Sequence, residues 1–123
     1  VTIDDYAIVG GSCAIHQFSR IGQLAMVGGM TGVLSDVIPF GLSLGNRNNL
    51  VGLNLIGLRR AKISNENIKL LQKFYDKVFC DQNFRSNIEN LNSDMKENKY
   101  VKIIVDFLNS DKKRPISLPE NIK

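Results

Sequence analysis

Branched aliphatic residues recur at every sixth position through the first third of the chain: Ile3, Val9, Ile15, Ile21, Val27 and Val33. Four residues after each stands a small or slim side chain, namely Ala7, Cys13, Ser19, Ala25, Thr31 and Val37. A helix repeats near 3.6 residues and a strand near 2, so neither alone yields a strict six. A short fixed period instead marks a solenoid of stacked hexapeptide turns, each hexad forming one flat side of a triangular coil. Residues 1–38 are therefore expected to form a left-handed parallel β-helix. Its branched residues point into the prism, and its slim residues fit beneath the corners. Gly10, Gly22 and Gly28 follow branched residues, where the turning backbone is expected to favour a residue without Cβ. The competing reading is two or three ordinary strands joined by glycine turns, and six uninterrupted matches weigh against it.

The period fails at Pro39, which stands where the next branched residue belongs and has no N–H to give to a ladder. Residues 39–52, with Gly41, Gly45 and Asn46, read as an exit loop. Helical spacing takes over across residues 53–123, the expected carboxy-terminal helical domain. Leu53 and Ile56 anchor a first short helix ending near Arg60, although Gly57 inside it is a poor helix former. Ser64 is placed to cap a second helix with Glu66 in its first turn and a stripe of Ile68, Leu71, Phe74, Tyr75 and Val78. A third helix carries Phe84, Ile88, Leu91 and Met95, and a fourth carries Val101, Ile104, Val105 and Leu108. Pro115 and Pro119 mark an irregular tail. Six hexads make only two coils, and Val1 opens directly into the repeat without a cap. The sequence thus reads as the carboxy-terminal part of a longer repeat protein, or as a remnant encoded by a split gene.

Charge divides the 123 residues unevenly. Before Arg59 two basic residues face three acids, and from Arg59 onward fourteen face nine. The basic excess suits an acidic protein or phosphates, or is simply a solvated helical surface. No interleaving of basic and aromatic residues marks a nucleic-acid platform. No apolar run is long enough to span a bilayer, no secretory leader is visible, and a cytoplasmic location is expected. Cys13 and Cys80 read as isolated buried thiols in a reducing compartment. One histidine among 123 residues gives no basis for a His-rich metal site, and no cofactor is expected.

Candidate chemistry is sparse. The third hexad replaces glycine with a polar pair, His16-Gln17, which is free to leave the prism surface. His16 is either a hydrogen-bonded surface residue or a general base, with no obvious partner nearby. Gly28-Gly29 lacks the Gly-Lys-Ser/Thr continuation of a phosphate loop; Gly29 instead leaves room beside the coil, as a turn requirement or as the floor of an apolar groove. Asn54, Arg59 and Arg60 suit phosphate or sugar edges, or form a solvated helix end.

Together these residues carry a resemblance. Ala7-Ile8-Val9-Gly10-Gly11, Ala14-Ile15-His16-Gln17-Phe18 and Met26-Val27-Gly28-Gly29 resemble one family, as do Gly45-Asn46, Gly52-Leu53-Asn54 and Gly57-Leu58-Arg59-Arg60. It is the acyl-[acyl-carrier-protein]–UDP-N-acetylglucosamine O-acyltransferases, which start lipid A synthesis in Gram-negative bacteria. The likeness covers essentially the whole chain; the related glucosamine N-acyltransferases share the hexads but are not expected to share the helical continuation. The resemblance implies a homotrimer with sites in clefts between neighbouring solenoids. There a 3-hydroxyacyl chain passes from acidic acyl carrier protein to the 3-hydroxyl of UDP-N-acetylglucosamine. It implies a general base in a coil preceding residue 1, so no catalytic residue is assigned within the chain. His16 takes a supporting role, Gln17 a substrate contact, Gly29 the limit on acyl length, and Asn54 and Arg60 the nucleotide. Arg47, where the family often has His, and Ala61, where a further basic residue is common, depart from the pattern. The competing expectation is an inactive remnant or trimeric assembly module lacking the base-bearing coils.

Overall fold

The computed structural model describes residues 1–45 and 47–122. Asn46, and with it part of the Gly45-Asn46 motif, lies outside the described residues, as does Lys123. Six two-residue strands follow the hexad period: β1 (Thr2–Ile3), β2 (Ile8–Val9), β3 (Ala14–Ile15), β4 (Arg20–Ile21), β5 (Met26–Val27) and β6 (Gly32–Val33). Each of the first three pairs in parallel with the strand three places on, eighteen residues away: Ile3 with Ile21, Val9 with Val27, Ile15 with Val33. Three strands thus make one circuit, and consecutive strands belong to different ladders. Ile21, Val27 and Val33 are fully buried with Ala25 and Val37, whereas Ile3 and Val9 of the first circuit stay exposed because nothing stacks above them among the described residues.

The corners between strands correct the expected role of the glycines. Positive φ falls at Tyr6, Ser12, Phe18, Leu24 and Met30, none of them glycine. This region is sterically disfavoured for L-residues, and the amide of the turning residue is tied down at several corners. Leu24 N–H donates to Asp5 O at 3.0 Å and Met30 N–H to Gly11 O at 2.8 Å. Gly10, Gly22 and Gly28 are required by close approach instead. A Cβ on Gly10 would lie 2.6 Å from Gly29 N, one on Gly22 2.4 Å from Pro39 N, and one on Gly28 2.3 Å from Leu44 Cδ2.

The stacking does not stop at Pro39. Val37 bridges Ile21 in parallel, and β7 (Gly41–Leu44) pairs with β5, setting Ser43 beside Val27. These offsets are sixteen residues where the earlier circuit used eighteen, so the side following Val33 is two residues short. The omission lies at the Ser35–Asp36 corner, which lacks a positive-φ residue, and the φ of +64° at Phe40 resumes the series. Gly41–Leu44 and Asn49–Leu53 are accordingly strands where the sequence reading expected an exit loop. β7 turns through Gly45 (φ +84°) and Asn48 (φ +56°) into β8 (Asn49–Leu53), which runs antiparallel to it. Ser43 Oγ donates to Asn48 Oδ1 across this turn, and Asn48 Nδ2 donates to Ser35 O at 2.8 Å.

Five helices follow: α1 (Leu55–Arg60), α2 (Asn65–Val78), α3 (Phe84–Glu89), α4 (Ser93–Glu97) and α5 (Lys99–Ser110), with a 3₁₀ turn at Glu120–Ile122. Leu53 belongs to β8, Ile56 is exposed, and Leu58 is the buried anchor of α1, all three contrary to the periodic reading. Ser64 Oγ accepts from Asn67 N–H at 3.2 Å and caps α2, whose Ile68, Leu71, Phe74 and Val78 are buried. The expected third helix is two, because Asn92 Oδ1 accepts from Met95 N–H at 2.9 Å and starts α4 afresh. α5 buries Val101, Ile104 and Leu108 together with Phe107. These side chains form one core with Ile38, Phe40 and Leu50, so the helices pack directly against the last circuit. Cys13 is half-buried and Cys80 exposed, both as free thiols.

Candidate functional site

The ladder of β3 and β6 forms a face bounded by two corners. Because Ile15 and Val33 point inward, the outward positions are Ala14 and Gly32, and the floor of the face is nearly flat. At one end the corner carries Gly11 above Gly29. A Cβ at Gly29 would meet only Gly11 O, at 3.5 Å, and one at Gly11 would meet nothing within 4 Å. At the other end the first circuit carries His16 and Gln17, both exposed. His16 is fixed through its backbone: its N–H donates to Val33 O at 2.8 Å and its carbonyl accepts from Ser19 N–H at 3.2 Å. Phe18, Met30 and Leu34 rise at the margins with 70%, 78% and 60% exposure. A smooth floor, an apolar margin and one polar end suit an extended apolar chain with a polar head.

Asn54 and Arg60 stand elsewhere. Asn54 is buried where β8 passes into α1, against the corner formed by Gln23, Leu24 and Phe40. Its N–H donates to Phe40 O at 2.7 Å, its Nδ2 donates to Leu24 O at 2.9 Å, and its Oδ1 accepts from Gly57 N–H at 3.1 Å. The amide therefore caps α1 and pins it to the coil. Gly57 is explained by the same contact, since a Cβ there would lie 2.3 Å from Asn54 Nδ2. Arg59 and Arg60 are exposed in the last turn of α1, where cations complement the helix dipole. Within one chain, His16–Gln17 and Asn54–Arg60 thus occupy different corners of the stack and are not brought together.

A polar centre absent from the sequence reading joins the coils to the helices. The carboxylate of Asp36 is fully buried at the shortened corner. Its Oδ2 accepts from Arg20 Nε at 2.6 Å, and its Oδ1 accepts from Arg20 N–H at 2.9 Å and Arg114 Nη2 at 3.1 Å. Arg20 also lies 4.2 Å over the Phe107 ring and donates to Phe107 O at 3.1 Å. The tail closes the same corner: Asp36 N–H donates to Pro115 O at 2.9 Å, and Ser117 N–H returns a bond to Asp36 O at 2.8 Å. The tail is thereby a docked element. The one signal in the sequence was an acid beside the apolar positions Val37 and Ile38, with nothing to mark its distant partners. Among the described residues, no three His, Cys, Asp or Glu side chains gather into a metal-binding group.

Short parallel strands stacked at a hexad spacing, continued by a helical unit closed onto the last circuit, define a hexapeptide-repeat protein. The family profile described as UDP N-acetylglucosamine O-acyltransferase, domain 2, matches residues 36–117, the segment closed by the Asp36–Ser117 bond. The chain belongs to that family. An acyl-[acyl-carrier-protein]–UDP-N-acetylglucosamine O-acyltransferase of Rhizobium rhizogenes is 39% identical over 124 aligned residues, covering 100% of this chain and 46% of the relative. That of Anaeromyxobacter is 48% identical over 79 residues, covering 64% of this chain and 31% of the relative. Among solved structures, the UDP-N-acetylglucosamine acyltransferase of Arabidopsis superposes with a TM-score of 0.86 at 27% identity, covering 94% of this chain and 43% of that one. The Francisella novicida enzyme gives 0.85 at 28% identity, covering 97% and 44%. The chain spans a little under half the length of the relatives it matches along its whole extent.

Proposed function

We propose that this chain forms the carboxy-terminal part of an enzyme that transfers a 3-hydroxyacyl group from acyl carrier protein to the 3-hydroxyl of UDP-N-acetylglucosamine, the first step of lipid A synthesis. The observation that carries the reading is the β3–β6 face, with its glycine corner at one end and His16–Gln17 at the other. On this reading the ladders are the last circuits of a left-handed parallel β-helix followed by a small helical domain, working as a homotrimer in the cytoplasm. The hydroxyl is deprotonated by a base outside this chain, and its oxygen attacks the thioester carbonyl as the carrier thiolate leaves. His16 supports the acyl head by hydrogen bonding, Gln17 contacts substrate, and the apolar chain runs toward Gly29. Arg60 meets the diphosphate, and Asn54 holds the helix that presents it. The separation of the two groups within one chain supports a site shared by neighbouring copies.

The test is Gly29→Met in the assembled enzyme, assayed with acyl donors of graded length. The added side chain has open space to enter, so the preferred donor is expected to shorten while the fold persists. An unchanged preference sinks the role of Gly29, and no transfer by the unsubstituted enzyme sinks the reading itself.

A further inference from the structure

The corner that carries His16 and Gln17 is held differently from its neighbours. At the equivalent corners a backbone amide of the next circuit binds the turning carbonyl. Leu24 N–H donates to Asp5 O at 3.0 Å, Met30 N–H to Gly11 O at 2.8 Å and Phe40 N–H to Gln23 O at 2.9 Å. Gln17 occupies the same place in its hexad, yet among the described residues no backbone amide reaches its carbonyl. The rung that closes this corner is altered too. Thr2, Ile8 and Ala14 N–H donate to the carbonyls of Ser19, Ala25 and Thr31, each a slim residue of the next circuit. Arg20 N–H donates instead to Asp36 Oδ1 at 2.9 Å, while Ser35 O, in the corresponding place, accepts from Asn48 Nδ2 at 2.8 Å. Both changes follow from the two residues omitted between Val33 and Val37, directly beneath this corner.

The missing support comes from the tail. Arg114 Nη2 donates to Asp36 Oδ1 at 3.1 Å and to Ser19 Oγ at 3.4 Å, and Ser19 N–H donates to His16 O at 3.2 Å. A continuous line of polar contacts thus runs from the tail, through a buried carboxylate and a buried hydroxyl, to the peptide of His16. We propose that Arg114 is a positioning residue for His16 and Gln17, bracing through Asp36 and Ser19 a corner that the shortened circuit leaves without its regular backbone support. The consequence for substrate rests on the acyltransferase reading; the contact line itself does not. Charge-assisted bonds are stronger than the neutral rungs they replace, so the corner keeps a fixed place although a circuit is incomplete beneath it. Small displacements of a substrate-holding group cost far more in reactivity than in stability. Arg114 therefore acts through the corner, and its loss should be felt as poorer recognition of the polar acyl head.

The test has two readouts. His16 is the single histidine of the 123-residue chain, so its ring Cε1–H resonance reports on this corner alone. Arg114→Gln should shift or broaden that resonance. Ser19→Ala should do so to a smaller extent without disturbing the fold, since Ala7 and Ala25 fill the equivalent slim positions. Asn92→Ala, which removes the cap of α4, should leave it in place. In the assembled enzyme the second readout is the kcat/KM ratio for a 3-hydroxyacyl over an unsubstituted acyl donor of equal length. That ratio should fall about tenfold in Arg114→Gln, recover in part in Arg114→Lys, and stay within about twofold in Asn92→Ala. An unmoved His16 resonance in Arg114→Gln, an equal shift in Asn92→Ala, or an unchanged donor ratio overturns the positioning role while leaving the acyltransferase reading intact. No transfer by the unsubstituted enzyme overturns that reading, and the resonance still decides whether Arg114 holds the corner. Should Arg114→Gln fail to fold, Ser19→Ala decides: a moved resonance supports the bracing and an unmoved one overturns it.

Discussion

A methyl group at Gly22 would sit 2.4 Å from the nitrogen and 2.7 Å from the Cα of Pro39, whereas one at Gly29 would rest 3.5 Å from Gly11 O. Glycine therefore serves opposite purposes at two corners of one stack, admitting backbone at the first and leaving a vacancy at the second. Gly22→Ala should lower unfolding free energy by about 1–3 kcal/mol, the usual cost of overpacking. Gly29→Ala should fall within about 0.5 kcal/mol of the parent, as uncrowded surface changes do. Urea titration of both variants checks the contrast, and equal destabilisation would refute it. Asp36→Ala should be more damaging, costing about 3 kcal/mol, because the partly buried Arg20 and Arg114 guanidinium groups would lose their counter-charge. A midpoint close to that of the parent would show that water satisfies them. The inward residues of the hexads were legible because a period of six is a strong pattern. The purpose of each glycine was not, since close approach between circuits depends on residues a whole circuit away, such as Gly29 for Gly10 and Pro39 for Gly22.

At the level of elements, small polar caps decide where helices begin. Asn92 and Asn98 each accept from the first turn that follows, Asn92 from Met95 N–H and Asn98 from Tyr100 and Val101 N–H. Asn98 Nδ2 also donates to Asn67 Oδ1 at 3.0 Å, tying α5 to α2. The apolar spacing from Phe84 to Met95 fits one helix, and only the Asn92-Ser93-Asp94 run records the interruption. Ser64 was legible for the complementary reason, being a capping residue directly ahead of an unbroken stripe. Asn54 differs in reach, since one amide caps α1 and binds the Leu24 carbonyl thirty residues earlier. Asn54→Ala is expected to cost about 1–2 kcal/mol, the upper range for a lost cap, and to loosen α1 on the coil. Hydrogen exchange should show faster exchange at Gly57 and Leu58 with little change in α5; uniform protection across both helices would remove Asn54 from this role.

For the molecule as a whole, the β3–β6 face and the Arg60 helix end point from separate corners, so a site using both requires more than one copy. In sedimentation the chain should run at three times its 13.7 kDa mass; a monomer at micromolar concentration would restrict assembly to a longer partner. The parallel stack and the helical half were legible as classes, while their junction was not, because the repeat was followed by strict counting and the chain does not count strictly. Between Val33 and Val37 it drops two residues, and every later element inherits that slip. The omission acts as a phase setting on a screw: it fixes the angle at which β7 leaves the stack and hence the direction in which α1 carries its arginines. Restoring two residues after Val33 would keep each local motif intact yet turn the whole helical half to a new bearing. The length of that one side is thus a heritable dial on the alignment of two distant surfaces, adjustable without altering a single side chain in either.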